Sequence, residues 1–418
     1  MSAADIFPLQ VARGIRSAAK EKKRTLSQTR PNVCPKSTVK QKRRAKIQKK
    51  QKRRRRPDRY LASRPMRSLF AGRLRRSLTA RRHQSVYIWG NGNDGQLGTG
   101  ELKKVGNVMP SYDEFLPLPL TTVPLEEDET LVEFAGGMNH SLAVTSAGRL
   151  FAWGSAAHGK LGLGGDTGGS VLLPTEVTAL AHVKIESAAC GDNHSVALDS
   201  DGNIFTWGFN GSFFAGGGML GHGTRDTVAM PKWVESLDEE AIQVKTVTAG
   251  ELHTAILTTD GEVMTCGAGE YGRLGLGGSF DEHSFLPVDY LADVDVTQLV
   301  SGHAFSIALT EQGDLFGWGR NDQGQLGQGG TMSLDVYSMN ADPVPINEFL
   351  AGDDMGGSTE IEPGSIAFVA AGHSHAACIT KAGELYMWGM KTYLSPKKME
   401  VFKEGSVEPE VSIALLSC

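Results

Sequence analysis

Histidine recurs at one fixed place in this chain, and imidazole is the side chain best suited to bind a metal or move a proton near neutral pH. His140, His194, His253 and His375 each stand three residues after a glycine, and Phe305 takes the same place after Gly302. One histidine per copy of a repeat distributes the rings around a fold rather than converging them. A structural use is therefore expected, each ring bonding backbone near its own turn. His373 and His375 have ligand-like spacing for a strand, but the sequence offers no evident third or fourth ligand. Other chemical signatures also fall at repeat turns. Gly90–Gly95 and Gly267–Gly272 both fit GxGxxG, yet neither opens a helix after a strand. Gly154–Lys160 approaches a phosphate-binding loop but is followed by Leu161, where a hydroxyl must reach magnesium. There is no Gly-x-Ser-x-Gly elbow. Neither bond chemistry nor a cofactor or metal is expected.

The elements that position these residues are short hairpins. Thirteen residues after each member of the histidine series comes Trp153, Trp207, Cys266, Trp318 or Trp388, each followed by glycine. Between the two lie runs of alternating apolar character, such as His194–Leu198 and Asn203–Trp207, joined through a glycine eight residues past the first member. Period-two alternation predicts half-buried strands, and Asp201-Gly202 or Asp260-Gly261 between them predicts a tight hairpin turn.

One such hairpin cannot bury its apolar face alone, whereas several can pack sheet on sheet around an axis. Steps of 64, 54, 59, 52 and 70 residues separate Trp89, Trp153, Trp207, Cys266, Trp318 and Trp388, each enough for a four-stranded blade. The expectation is an all-β propeller over 85–418 with six blades. Val86–Trp89 lacks a first hairpin strand and Val411–Leu415 lacks a second, so pairing them would close the ring and remove an exposed edge.

Charge divides the chain in two. Residues 1–83 hold 28 basic residues and three acids, Asp5, Glu21 and Asp58; the remaining 335 hold 15 basic and 44 acidic residues. Residues 1–84 form a basic extension, expected to be mostly disordered, in which 1–60 are too poor in apolar residues to fold. Its densest stretch, 36–56, suits nuclear import or phosphate neutralisation on DNA or RNA. Residues 66–84 are rich in arginine and leucine and lack acids, as a mitochondrial presequence would be. The nucleus is the expected location, with the mitochondrion or cytoplasm as alternatives. The five cysteines never fall at CxxC spacing, three occupy strand positions, and no run of eighteen apolar residues occurs, so a reducing compartment and no membrane are expected.

The motifs Trp89-Gly-Asn-Gly-Asn-Asp-Gly-Gln-Leu-Gly98, Trp153–Gly162, Cys266–Gly275 and Trp318–Gly327, with the Gly-x-x-His-Ser-x-Ala-Leu strands, resemble the regulator of chromosome condensation family. The resemblance implies a propeller, seven-bladed in the family, that binds a protein partner, at its sharpest as a guanine-nucleotide exchange factor for a Ran-like small GTPase. The spacing from Trp or Cys to Leu is eight in four copies but thirteen from Trp207 to Leu220, so five residues are inserted. The insert, Phe209-Asn-Gly-Ser-Phe-Phe-Ala-Gly-Gly-Gly218, corresponds to a wedge that the founding member pushes into the GTPase's nucleotide site, with Asp192 matching an aspartate that serves the same contact. Candidate contact residues are thus Asp192, Phe209, Asn210, Ser212, Phe213 and Phe214. The exchange factor carries a second acid directly before the next histidine; here that place holds Leu252, with Glu251 one position earlier. The rival reading is a chromatin or RNA scaffold. A monomer is expected.

Overall fold

The computed structural model describes residues 86–102, 118–165, 168–212, 216–329, 338–350 and 365–399. Five antiparallel four-stranded sheets follow one another. The first is β3 (Leu131–Gly136), β4 (His140–Thr145), β5 (Leu150–Ser155) and β6 (Ser170–Glu176). The second is β7 (Ile185–Cys190), β8 (His194–Asp199), β9 (Ile204–Gly208) and β12 (Val228–Trp233), with a small extra pair, β10 (Gly211–Ser212) and β11 (Gly216–Gly217), in its last connection. The third is β13 (Val244–Ala249), β14 (His253–Thr258), β15 (Val263–Gly267) and β16 (Glu282–Pro287). The fourth is β17 (Val296–Ser301), β18 (Phe305–Thr310), β19 (Leu315–Arg320) and β20 (Met339–Pro345). The fifth is β21 (Ile366–Ala371), β22 (His375–Thr380), β23 (Leu385–Gly389) and β24 (Tyr393–Lys398). Before them, β1 (Tyr87–Ile88) pairs with β2 (Leu118–Pro119), matching by motif the outer two strands of a blade. This is an all-β propeller. The expected closing strand, Val411–Leu415, lies outside the described residues, as does the extension 1–84.

The hairpin turns form where the glycines predict. Gly202 sits at φ 87°, and the Asp199 carboxylate accepts the backbone N–H groups of Asp201 and Asn203 at 2.9 and 2.8 Å. The glycine after tryptophan has a separate cause. A Cβ on Gly208 would meet Asn193 O at 2.6 Å and the His194 Cα at 2.8 Å, because β9 ends directly against the start of β8.

The hydrophobic core lies between blades. One cluster joins Leu142, Ala152 and Leu161 of the first blade to Ile185, Ala197 and Trp207 of the second; similar clusters occupy the next three seams, and another joins Leu120 and Val123 to Trp153. Trp153, Trp207, Trp318 and Trp388 are fully buried, each facing the preceding blade. Trp89 departs from the structural role expected of it: it is 58% exposed. In the fifth blade the third and fourth strands are joined by only Met390–Thr392, without the Gly-x-Leu-Gly turn of the other four sheets.

Histidines and hydroxyls reinforce these seams. His140 Nε2 pairs with Ser195 Oγ at 2.9 Å, His194 with Thr254 Oγ1 at 2.9 Å and His253 with Ser306 Oγ at 3.0 Å, in each case across to the next blade. This corrects the expectation that each ring bonds backbone by its own turn: the extended strand start aims the ring at the neighbouring sheet. Ser195 and Thr254 in turn donate to the carbonyls of Lys160 and Met219, at 2.7 and 2.6 Å. A hydroxyl whose proton is so committed must accept from the ring, so the two histidines that face them are neutral with the proton on Nε2. Burial holds His140 down at about 3 and His194 at about 4, with Lys160 and His194 adding to the effect on His140. Phe305 replaces histidine at the fourth seam, and Ala376 stands where the hydroxyl would be.

Candidate functional face

His194 lies opposite Gly208 in the β8–β9 register, so the turn before β8 and the connection after β9 leave the blade at the same end. That end gathers the Gly-x-x-His turns of successive blades. The first x is Met138, Asp192, Glu251, His303 and His373 in turn. Backbone bonds link neighbouring turns: Glu251 N–H donates to His303 O at 2.9 Å and His303 N–H to His373 O at 3.2 Å. The glycines permit this approach, since a Cβ on Gly191 would lie 2.4 Å from Gly250 O and 2.3 Å from the His194 ring.

The result is a polar cluster drawn from four blades. His303 stands between two acids, Nε2 3.7 Å from Asp192 Oδ2 and Nδ1 3.4 Å from Glu251 Oε2, and stacks on His373 with ring centroids 4.0 Å apart. Burial, then the Glu251 charge, pushes Asp192 above the usual carboxylate range. Burial, then the neighbouring His373 ring and the Arg273 and Arg320 charges, hold His303 down at about 4, so at neutral pH it is uncharged and its contacts with the acids are not ion pairs. The compensating charges come from Arg273, whose buried guanidinium reaches Glu251 Oε2 at 3.1 Å, and Lys160. Lys160 Nζ donates to the side-chain oxygens of Asn139 and Asn193 and lies 3.5 Å from Asp192 O. Burial lowers its pKa, which Asp94 and Asp192 partly offset.

Lys160 and Arg273 occupy the same motif position, the x of Gly-x-Leu-Gly. Their backbone carbonyls accept the next blade's indole, Trp207 Nε1 at 2.8 Å and Trp318 Nε1 at 3.1 Å, while their side chains reach the axial turns. Sequence reading missed both. The signal was the variation at that position, Gln96, Lys160, Met219, Arg273 and Gln325, between invariant neighbours.

The inserted segment forms the β10–β11 hairpin on this same face, and its base is fixed by side chains. Asn210 is fully buried: its amide donates to Thr224 O at 2.9 Å and accepts Leu220 N–H at 3.0 Å. It anchors the hairpin and is not a contact residue. Phe209 is half-buried, packing with Met219, Leu220, Leu252 and Ala268 and lying 4.8 Å from the His158 ring. Leu252, where the resemblance places an acid, is thus part of the hairpin's apolar footing. Ser212 is exposed; Phe213 and Phe214 lie outside the described residues. The second strand is clamped to the third blade by Asp281, which accepts Gly217 N–H at 3.1 Å, Gly269 N–H at 3.1 Å and the Arg225 guanidinium at 2.9 Å. Phe280, beside that clamp, is 83% exposed.

Successive four-stranded blades that gather a polar cluster and an inserted hairpin on one face define a propeller of the protein-interaction class. The family is shown by its repeats: the chain belongs to the regulator of chromosome condensation (RCC1) repeat family, whose model matches residues 84–144, 147–198, 201–257, 260–309 and 312–379. Each repeat straddles two blades, ending with the second strand of the next one. The chain is 33% identical to human E3 ubiquitin-protein ligase HERC2 over 323 residues, 76% of this chain and 6% of that protein. It is 32% identical to the Arabidopsis thaliana Ultraviolet-B receptor UVR8 and, likewise, to the RCC1 domain-containing protein RUG3, mitochondrial, over 73% of this chain and 61% of each. The chain therefore spans less than two thirds of these relatives. Among solved structures, Prp20p from Saccharomyces cerevisiae, described with binding properties to Gsp1p and histones, superposes with a TM-score of 0.59 at 21% identity, covering 76% of this chain and 74% of that one. Human WBSCR16 superposes at 0.58 with 23% identity, covering 76% and 79%. At these identities the likeness is one of fold.

Proposed function

We propose that the face carrying Asp192, Glu251 and the 209–218 hairpin binds and regulates a protein partner, in its sharpest form as a guanine-nucleotide exchange factor for a small GTPase. The supporting observation is that hairpin and acids leave the blades at one end, and that Asp281 ties the hairpin to the neighbouring blade. Exchange breaks no bond in the nucleotide. It needs a stiff wedge that displaces the phosphate-binding loop and magnesium, together with charges that hold the GTPase in register. Ser212, Phe213 and Phe214 would supply the tip and Asp192 the charge, while Phe209 and Asn210 hold the base. Nucleotide release from a panel of purified small GTPases tests this. Acceleration lost in Phe213→Ala/Phe214→Ala and in Asp192→Asn is expected; no acceleration of any member removes the exchange reading.

The charge of the N-terminal extension favours a second activity, phosphate binding through 36–56. Retention on nucleic acid that falls steeply with salt and disappears on deleting 1–60 is the expected result. Nuclear placement belongs with that reading, and mitochondrial placement with 66–84; imaging the full chain beside one begun at Met66 separates them.

A further inference from the structure

We propose that Asp192, Glu251 and His303 form a binding site for a divalent transition metal of the zinc class. Sequence reading set metal aside because His373 and His375 had no third ligand. The fold answers by a different route, taking one residue from the same turn position of three consecutive blades. Donor atoms of Asp192, Glu251 and His303 all lie within 4.8 Å of one another, the one such group among the described residues. Two carboxylates and an imidazole are a donor set that zinc and its neighbours accept, with positions left for water.

The surroundings are those of a ligand set with outer support. Arg273 donates to Glu251 Oε2 at 3.1 Å, the oxygen that also faces His303 Nδ1, an outer hydrogen bond of the kind that commonly orients ligating carboxylates. The His373 ring, stacked on His303 at 4.0 Å between centroids, places a second imidazole beside the site. The Glu251 and His303 turns are joined by a backbone hydrogen bond, Glu251 N–H to His303 O at 2.9 Å, and rotation of the Asp192 and His303 side chains would bring the donors together. Arg273 and the nearby Lys160 ammonium oppose a cation, which sets the expectation at micromolar affinity rather than the far tighter binding of closed structural zinc sites. The site does not rest on the exchange reading; a chain that accelerates no GTPase would still bind the ion. Because its donors belong to the proposed partner face, bound metal would compete with a partner there.

The test uses the full chain, stripped of metal and titrated with zinc chloride by calorimetry, then with cobalt(II) followed by visible absorption. One equivalent of zinc is expected, with a cobalt spectrum of nitrogen and oxygen ligation lacking thiolate charge-transfer bands. His303→Ala, Glu251→Gln and Asp192→Asn should each weaken binding at least tenfold with the melting transition kept, while His182→Ala, on the exposed loop at the opposite end of the blades, should leave it unchanged. Absence of binding overturns the proposal. So does binding that survives all three substitutions or shows thiolate bands, since the ion would then sit elsewhere.

Discussion

The seam between the first and second blades and the seam between the fourth and fifth share one bond and differ in another. Both seat a buried indole on the carbonyl before a Leu-Gly, Trp207 on Lys160 and Trp388 on Gln325, each at 2.8 Å. The first adds His140, Ser195 and that same carbonyl in a buried polar chain; the other replaces it with Phe305 and Ala376. A buried polar pair and a buried apolar pair are both acceptable to a seam, whereas half of either is not, since an unmatched polar group keeps its desolvation penalty. At the four seams between the five described sheets, the two members are kept or dropped together. The indole is common to both seams as a large, fully buried side chain with a satisfied N–H; the histidine tunes its seam and makes it sensitive to acid.

Acid should separate the two kinds of seam most strongly. His140 and His194 titrate in the folded chain at about 3 and about 4, and burial also holds His253 well below its ordinary value. Unfolded histidine titrates near ~6.5, so below that pH the unfolded chain binds protons that the folded chain refuses. Stability is therefore full above ~6.5 and is lost as pH falls toward the folded values, by about 1.4 kcal/mol per pH unit for each histidine. Hydrogen exchange at falling pH should expose β4, β8 and β14 before β18. Simultaneous opening would break the comparison.

Next in size, Trp388→Ala and Trp207→Ala should each cost about 3–5 kcal/mol by denaturant unfolding, because both are core indoles. A much larger loss at one seam would mean that the shared bond is not the common support. His140→Phe should then cost about 1–3 kcal/mol, leaving the seam half polar, and His140→Phe/Ser195→Ala should recover part of that loss. Purely additive losses in this cycle would remove the pairing argument. The smallest stability effect belongs to the face: Asp281→Asn weakens the Arg225 bond at a half-exposed site, an effect of about 0.2–1 kcal/mol. It should nevertheless loosen β11, read as faster exchange of the Gly217 amide.

Much of this was legible in the residues. Alternation over His194–Leu198 and Asn203–Trp207, with glycine between, marks a hairpin because strand period and turn geometry are local properties. The repeat's spacing implies blades, and the thirteen-residue step to Leu220 reveals an insertion. Asp192 and the insert were legible as one face only through family resemblance. Asn210 was misread as a contact because burial depends on chains that arrive later in the sequence, here Leu220 and Thr224.

The sequence alone determined where strands begin and end, how often they recur, and where one turn is longer, since each follows from the conformational limits of nearby residues. Tertiary structure decided which histidine meets which hydroxyl, that Lys160 and Arg273 reach the axis, and that Asp192, Glu251 and His303 converge. Those outcomes depend on rotation from one blade to the next, a property of packed sheets that no single stretch of chain encodes.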